Sequence, residues 1–433
     1  MSKQSIEGKI ALTRQSSLLI TILNYLVISV VFAGAFIYKP SDNIELRLSY
    51  LIMLVTLLFW FPVLRDLVFN KVFFLPFSLI LLTSFYNIVI GNNSVFLFLK
   101  QALGIGINAL WFYLFLKIND FDVKKIFRIY LNIAFLVALI GIFQQISYLI
   151  GFCPGYDYSW FLPFWIPHPA GNFLRVNSIL PEPAGFCVSL APALFVSLCS
   201  AVDNKFAVLN KAKSFLIIAA FLLSFSSVGY LGLVISLILI SFSYRKLTKI
   251  LLFFTLIGVF LVSAFFVSID FKNRVKDSLE VLRAKADIAT VNLSVYALYS
   301  NILVVKEAFF EKPLIGFGLG SHELNYDKYF NKVIKIRKPR ERVNVHDAGS
   351  LALRLLSETG ILGFGLFIWF LLKFYLRRDV GRNDVFWAIN SGLLLFFILR
   401  LIRVGHYFTD GFFFFFWLYY ATKELLPQKL EKP

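Results

Sequence analysis

The chain has 433 residues, of which 59% are hydrophobic, 18% aromatic and 16% charged. Soluble domains carry roughly 25% charged residues, so a soluble globular enzyme and a disordered chain are both excluded. The formal net charge of +18 would ordinarily suggest nucleic acid. In so apolar a chain it follows instead from the gathering of Lys and Arg in cytoplasmic loops, and no nucleic-acid partner is expected.

Apolar runs long enough to cross roughly 30 Å of hydrocarbon recur along the chain. Spans are expected over 17–37, 46–64, 72–90, 95–116, 126–150, 179–202 and 250–268, then over 356–374, 385–402 and 412–425. No small-residue cleavage site follows the first run, so it is expected to persist as a helix. The stretch 214–243 is too long for one upright helix at about 1.5 Å per residue. It is broken at Ser226, Ser227, Val228 and Gly229, which predicts two short helices turning there. The expected class is an all-α polytopic membrane protein of about twelve transmembrane helices (between about 11 and 14), one domain over 1–433. Three cysteines, Cys153, Cys187 and Cys199, form no disulfide framework and read as small apolar fillers. The phenylalanine run from Phe412 to Phe416 reads as lipid-facing packing.

Basic residues set the orientation. With the N-terminus inside, the inner segments hold 22 Lys and Arg, and the short outer loops and their edges hold five: Lys39, Arg47, Arg175, Arg400 and Arg403. Both termini are therefore expected in the cytoplasm. Reading 214–243 as a single span would put the basic Lys373–Arg382 loop outside, so two helices are preferred. Two outer segments are long. The loop 151–177 carries Trp160 and Trp165 and is expected at the membrane interface. The large extracytoplasmic loop 269–349 contains an apolar stretch at 291–310, interrupted by Asn292, Ser294, Ser300 and Asn301. An interfacial helix is preferred there, because a further span would spoil the alternation.

All four histidines, His168, His322, His346 and His406, fall on the outer side. No Gly-rich phosphate loop with Lys-Ser/Thr and no metal-ligand His/Cys pair is present in the sequence, so no cofactor is expected and any chemistry belongs to the outer face. Lys100, Glu182, Arg354, Glu358, Arg400 and Asp410 lie in or at the edges of spans, where charge is costly. Snorkelling suits Lys100 and Arg400. Glu182 precedes Pro183, which disfavours regular helix at the glutamate. Its carboxylate is expected either to face a watery vestibule or to pair with Arg175. Between Lys328 and Arg342 lie seven basic residues opposed only by Glu341. Such a basic funnel, with guanidinium groups that grip phosphate bidentately, suits an anionic lipid headgroup such as a pyrophosphate. It leads to His346, whose ordinary titration range suits a proton acceptor. Glu358 stands twelve residues beyond His346, roughly 18 Å along a straight helix, so the two are not expected to pair. Arg354 and Glu358 are i, i+4 and can pair with each other.

Four segments in order resemble the O-antigen polymerase/ligase superfamily of bacterial membrane glycosyltransferases. They are Arg175 and Ser178 with Glu182-Pro183; the small-polar turn Ser226-Ser227-Val228-Gly229-Tyr230; Pro313 with Gly316, Gly318 and Gly320; and His346-Asp347 followed by Glu358, Gly360 and Gly363. The resemblance spans about residues 120–375. It departs at Asp347, where the family commonly has Asn, and at Val228, where ligases usually have Arg. The resemblance implies a GT-C-like fold in the bacterial inner membrane, with a periplasmic active face. It implies polymerisation of undecaprenyl-pyrophosphate-linked repeat units of an O-antigen, capsule or exopolysaccharide, without nucleotide or metal. The alternatives are an O-antigen ligase acting on lipid A core, a flippase or transporter of lipid-linked saccharide, and a non-catalytic assembly scaffold. The implied roles are His346 or Glu182 as base, and Arg175 with Arg337, Arg340, Arg342 and Lys338 on pyrophosphate. Arg403, His406, Tyr230 and Glu358 complete the substrate site. Membrane lipids, a chain-length regulator and a flippase are the implied partners.

Overall fold

The computed structural model describes residues 18–41, 44–60, 70–203, 208–243, 291–334, 342–409 and 411–424, with scattered positions between 251 and 280. The first described element is helix α1 (Leu18–Phe32). A small antiparallel hairpin follows, β1 (Ile37–Ser41) and β2 (Ile44–Arg47). Then come α2 (Leu48–Trp60), α3 (Lys71–Val89), α4 (Val95–Ile118), α5 (Val123–Leu149) and the single turn α6 (Cys153–Tyr156). A second short hairpin, β3 (Pro169–Ala170) and β4 (Phe173–Leu174), precedes α7 (Pro183–Val202), α8 (Lys211–Leu222) and α9 (Ser227–Ser243). The remainder is α10 (Leu293–Glu311), α11 (His322–Val333), α12 (Leu351–Phe374), α13 (Asp384–Ile402) and α14 (Phe412–Glu424).

Seven of these helices, α3, α4, α5, α7, α10, α12 and α13, are long and apolar enough to cross a membrane, and α1, α2 and α9 are shorter apolar helices. The architecture is that of an all-α, multi-pass membrane protein. Twelve full-length spans are not what the described helices amount to. The hairpin at 37–47 stands where the first expected span ends and the second begins, and 214–243 divides into α8 and α9 at the anticipated turn. Most of the expected span at 250–268 lies outside the described residues. Apolar side chains such as Leu75, Leu82 and Val89 of α3 face outward, forming a surface that water would not tolerate and lipid does.

At the centre, α7 and α13 pack face to face and are the most buried of the long helices. Their crossing depends on Gly392, where a β-carbon would meet the Pro192 carbonyl oxygen at 2.9 Å. Small residues at helix crossings let backbones approach in this way. The five phenylalanines Phe412 to Phe416 of α14 are buried in the same core. This corrects their expected lipid-facing role: α14 is wedged among α3, α4, α12 and α13, and Phe370 stacks on Phe416 with ring centres 4.0 Å apart. Trp165, expected at the interface, is likewise buried and donates its indole N–H to the Ser178 carbonyl at 2.8 Å, whereas Trp160 is 75% exposed.

The helix α12 is broken. Gly360 sits at φ +60°, ψ −157°, and the segment Pro313–Gly320 docks into the gap. Gly318 N–H donates to the Glu358 carbonyl at 2.7 Å, and Ile361 N–H donates to the Pro313 carbonyl at 2.8 Å. The backbone groups freed by the break are thus satisfied within the protein, as a bilayer requires. A β-carbon on Gly316 would meet the Glu358 backbone at 2.6 Å, and one on Gly360 would meet the Leu314 backbone at 2.6 Å. Two of the glycine motifs in the sequence are therefore one joint.

Helix α10 packs against α11 and α12. Near its start, the Ser294 carbonyl accepts from Arg403, just past the end of α13, at 3.5 Å. At its other end, Lys312 Nζ donates to Asn87 Oδ1, near the end of α3, at 3.2 Å. Both ends of α10 are therefore tied to the ends of neighbouring helices. An interfacial helix is expected at 291–310 from the sequence, yet α10 is itself one of the seven helices long and apolar enough to cross a membrane.

An arginine-lined cavity at one end of the bundle

The candidate site grows from how loops are fastened at this end. Glu182 takes the extended conformation that a following proline demands (φ −140°, ψ 149°), and Pro183 starts α7 where its missing N–H costs nothing. Opposite, the segment 342–350 packs against the segment 403–409. Val404 N–H donates to the Gly349 carbonyl at 3.0 Å, and Ser350 Oγ donates to the Leu401 carbonyl at 2.6 Å. Val404 is held at φ +68°, a strained region for a β-branched residue. Gly405 is pressed so closely on Asp347 that a β-carbon would overlap the Asp347 carbonyl oxygen.

Beneath these loops lies a buried charge network. Arg354 Nε donates to Glu358 Oε1 at 2.9 Å, with side chains 5% and 0% exposed. Arg354 also donates to Gln101 Oε1 at 2.8 Å and to the Gly405 carbonyl at 3.3 Å, while Tyr407 Oη donates to Glu358 Oε2 at 3.0 Å. The i, i+4 pair is realised, and Glu358 sits under the site rather than in it. Arg400 does not snorkel: it is fully buried, and its guanidinium donates to the carbonyls of Thr409 (3.1 Å) and His406.

Between α7 and these two loops is an open cavity of about 540 Å³, within the roughly 300–1,000 Å³ of small-molecule sites. Glu182, Arg342, His346, Arg403 and His406 line it, joined by Arg47 of the first hairpin and by Asp347. His346 is 74% exposed, and its Nδ1 lies 3.0 Å from Glu323 Oε2 on the first turn of α11. His406 Nε2 lies 3.5 Å from Asp347 Oδ2, whose other oxygen accepts from the Gly349 N–H at 3.0 Å. Burial pushes the His406 imidazole down to about 4, against the upward pull of Asp347. At neutral pH His406 is therefore uncharged, and the positive lining comes from three guanidinium groups. Arg342 pairs with Asp327 and lies 5.2 Å from the centre of the Tyr326 ring.

Other sequence candidates fall elsewhere. Arg175 and Tyr230 sit near Cys187, close enough for Arg175 to act on both electrostatically, and neither is among the residues lining the cavity. Tyr230 is buried and donates to the Leu222 carbonyl at 3.4 Å. Arg337, Lys338 and Arg340 lie outside the described residues, as does Asp410. Part of the expected basic funnel faces another way: Lys328 pairs with Glu311 at 2.7 Å and Lys332 with Glu307 at 2.5 Å, both on α10. Sequence reading missed Arg47 and Glu323. Arg47 entered it only as one of five outer basic residues, and Glu323 had no local signal.

A second group supports the cavity wall. His322, fully buried, bridges Asn301 of α10 and Ser357 of α12. Asn301 Nδ2 donates to the Ala297 and Val343 carbonyls, so Asn301 Oδ1 is an acceptor and His322 Nε2 carries the proton at 3.1 Å. Ser357 Oγ then donates to Nδ1 at 3.2 Å and accepts from Asn325 Nδ2 at 2.9 Å. Burial pushes this imidazole down to about 3, with Arg354 acting in the same direction. Among the described residues no cluster of His, Cys, Asp and Glu is placed to hold a metal ion. Compared with known proteins, the chain matches no protein-family model and no curated sequence.

Proposed function

We propose that this protein is a membrane glycosyltransferase that polymerises undecaprenyl-pyrophosphate-linked repeat units at the outer face of the bacterial cytoplasmic membrane. The observation that carries the reading is the convergence of Arg47, Arg342 and Arg403, from three distant segments, on one open cavity with His346 and Glu182. Guanidinium groups suit a diphosphate, and fixed positive charge offsets the negative charge that develops on it as it departs. The excess of basic residues on the opposite loops supports placing this end outside.

In the proposed reaction an acceptor sugar hydroxyl attacks the anomeric carbon of the donor glycan. The bond from that carbon to the phosphate oxygen breaks, and undecaprenyl pyrophosphate leaves with the bonding electrons. His346 Nε2 takes the hydroxyl proton, because Nδ1 is engaged by Glu323. Glu182 orients the acceptor from across the cavity. The leaving group carries the driving force, so no nucleotide or metal enters the scheme. A chain-length regulator and a flippase supplying lipid-linked units are the expected partners.

Binding of undecaprenyl pyrophosphate and of undecaprenyl monophosphate to the protein in nanodiscs tests the reading. The diphosphate should bind at least tenfold more tightly, and Arg47→Ala or Arg403→Ala should remove that preference. Equal binding of the two lipids, or a preference that both variants retain, contradicts the assignment.

A further inference from the structure

We infer that Glu323 is a positioning residue that holds His346 as its Nδ1–H tautomer and so presents the Nε2 lone pair to the cavity. The inference rests on the reading of His346 as the base, but its first test does not. A carboxylate oxygen only accepts, so the 3.0 Å contact between His346 Nδ1 and Glu323 Oε2 places the proton on Nδ1. The free imidazole must otherwise choose its tautomer unaided, and a base in the wrong tautomer has its lone pair turned from the substrate.

The contact is built rather than incidental. His346 and Glu323 are on segments 23 residues apart, and the same buried group fastens both. Asn301 holds the Val343 carbonyl at 3.1 Å, three residues before His346, and holds His322, the residue before Glu323, at 3.1 Å. One turn further along α11, Asp327 engages Arg342 of the same loop. Glu323 and Asp327 are i, i+4, so one face of α11 presents two carboxylates, one to the proposed base and one to a cavity arginine. The other charged or titratable groups around the cavity are Glu182, Asp347, Arg47, Arg342, Arg403 and His406. The partner at Nδ1 is Glu323 and none of these carboxylates: Asp347 faces His406 at 3.5 Å, and Glu182 is the N-cap residue of α7.

The test is nitrogen NMR on the full-length protein in nanodiscs with 15N-labelled histidine, at a pH where His346 is neutral. His346→Asn identifies the signals of His346. In the wild type, Nδ1 should show the shift of a protonated nitrogen and Nε2 that of an unprotonated one. In Glu323→Ala the two nitrogens should average toward the ordinary mixture, in which Nε2–H is well populated, and Glu323→Asp should restore part of the wild-type pattern. The His322 Nε2–H signal reports whether α11 remains docked and should be unchanged in both variants. Steady-state elongation should fall about tenfold or more in kcat for Glu323→Ala, with KM unchanged, and recover in Glu323→Asp. A predominantly Nε2–H wild type overturns the proposal, as does an Nδ1–H signal that survives Glu323→Ala. So does full kcat in Glu323→Ala when His346→Ala is inactive. Should the wild type elongate nothing, the function proposed above fails while the tautomer measurement still decides the role of Glu323.

Discussion

Replacing Gly405 by alanine should dismantle the site while leaving the bundle standing. The added β-carbon would overlap the Asp347 carbonyl oxygen, lie 2.8 Å from the Asp347 carbonyl carbon and 3.1 Å from the Ser350 carbonyl oxygen. All three are backbone atoms, so no side-chain rotation relieves the clash. The 342–350 and 403–409 segments must part by about 1 Å or more, and misplacement on that scale costs about a hundredfold in rate. Parting them separates His346 and Asp347 from Arg403 and His406, which sit on opposite sides of the seam. Overpacking of this kind costs about 1–3 kcal/mol, small beside a core that includes α7, α13 and α14. Gly185 is the internal control. It lines the same cavity, and a β-carbon there meets nothing within 4 Å. The assay is elongation of lipid-linked repeat units in liposomes, with thermal unfolding followed by tryptophan fluorescence. Gly405→Ala should lose about two orders of magnitude in rate with a modest fall in Tm; Gly185→Ala should lose far less. Wild-type rate and Tm in Gly405→Ala would refute the packing of the two loops.

Three further outcomes follow from the same structure. Glu358→Ala leaves Arg354 buried without its carboxylate and should cost about 3–5 kcal/mol, read as a large fall in Tm and in membrane-extracted yield. Gly360→Ala places a β-carbon at φ +60° against the Leu314 backbone, and its Tm should fall well below that of Gly365→Ala, where nothing lies within 4 Å. His322 is neutral in the fold down to about pH 3, whereas in the unfolded chain it binds a proton below about 6.5. The unfolded state therefore holds more protons between those values, and stability falls as pH drops through that window. His322→Gln, titrated by chemical denaturation in detergent from pH 7 to pH 4, should remove part of that loss.

Features carried by local pattern were legible in the sequence, and features made by distant contacts were not. Apolar length located α3, α4, α5, α7, α12 and α13, and the small residues at 226–229 marked the turn between α8 and α9. Glu182-Pro183 announced the start of α7, because the steric rule is local. The phenylalanines of α14 read as lipid-facing because composition cannot say whether an apolar helix has neighbours on every side. Arg354 and Glu358 were legible as a pair. That the pair lies beneath the cavity follows from Gln101 and Tyr407, 253 and 49 residues from their partners. Lys328 and Lys332 looked unopposed because their acidic partners, Glu311 and Glu307, lie on α10. Arg47 was not legible because its part in the cavity is made by distant contacts: with Gly34 it lines the same space as Glu182 and Arg403.

The most direct measurement is reconstitution of the purified protein in liposomes with undecaprenyl-pyrophosphate-linked repeat units as the only substrate, the products resolved by glycan length. The account predicts a ladder of longer lipid-linked chains, formed without nucleotide sugar or added metal and absent in His346→Ala. A single-unit band that persists with the native repeat unit would contradict it, and consumption of that band only after lipid A core is added would make the protein a ligase.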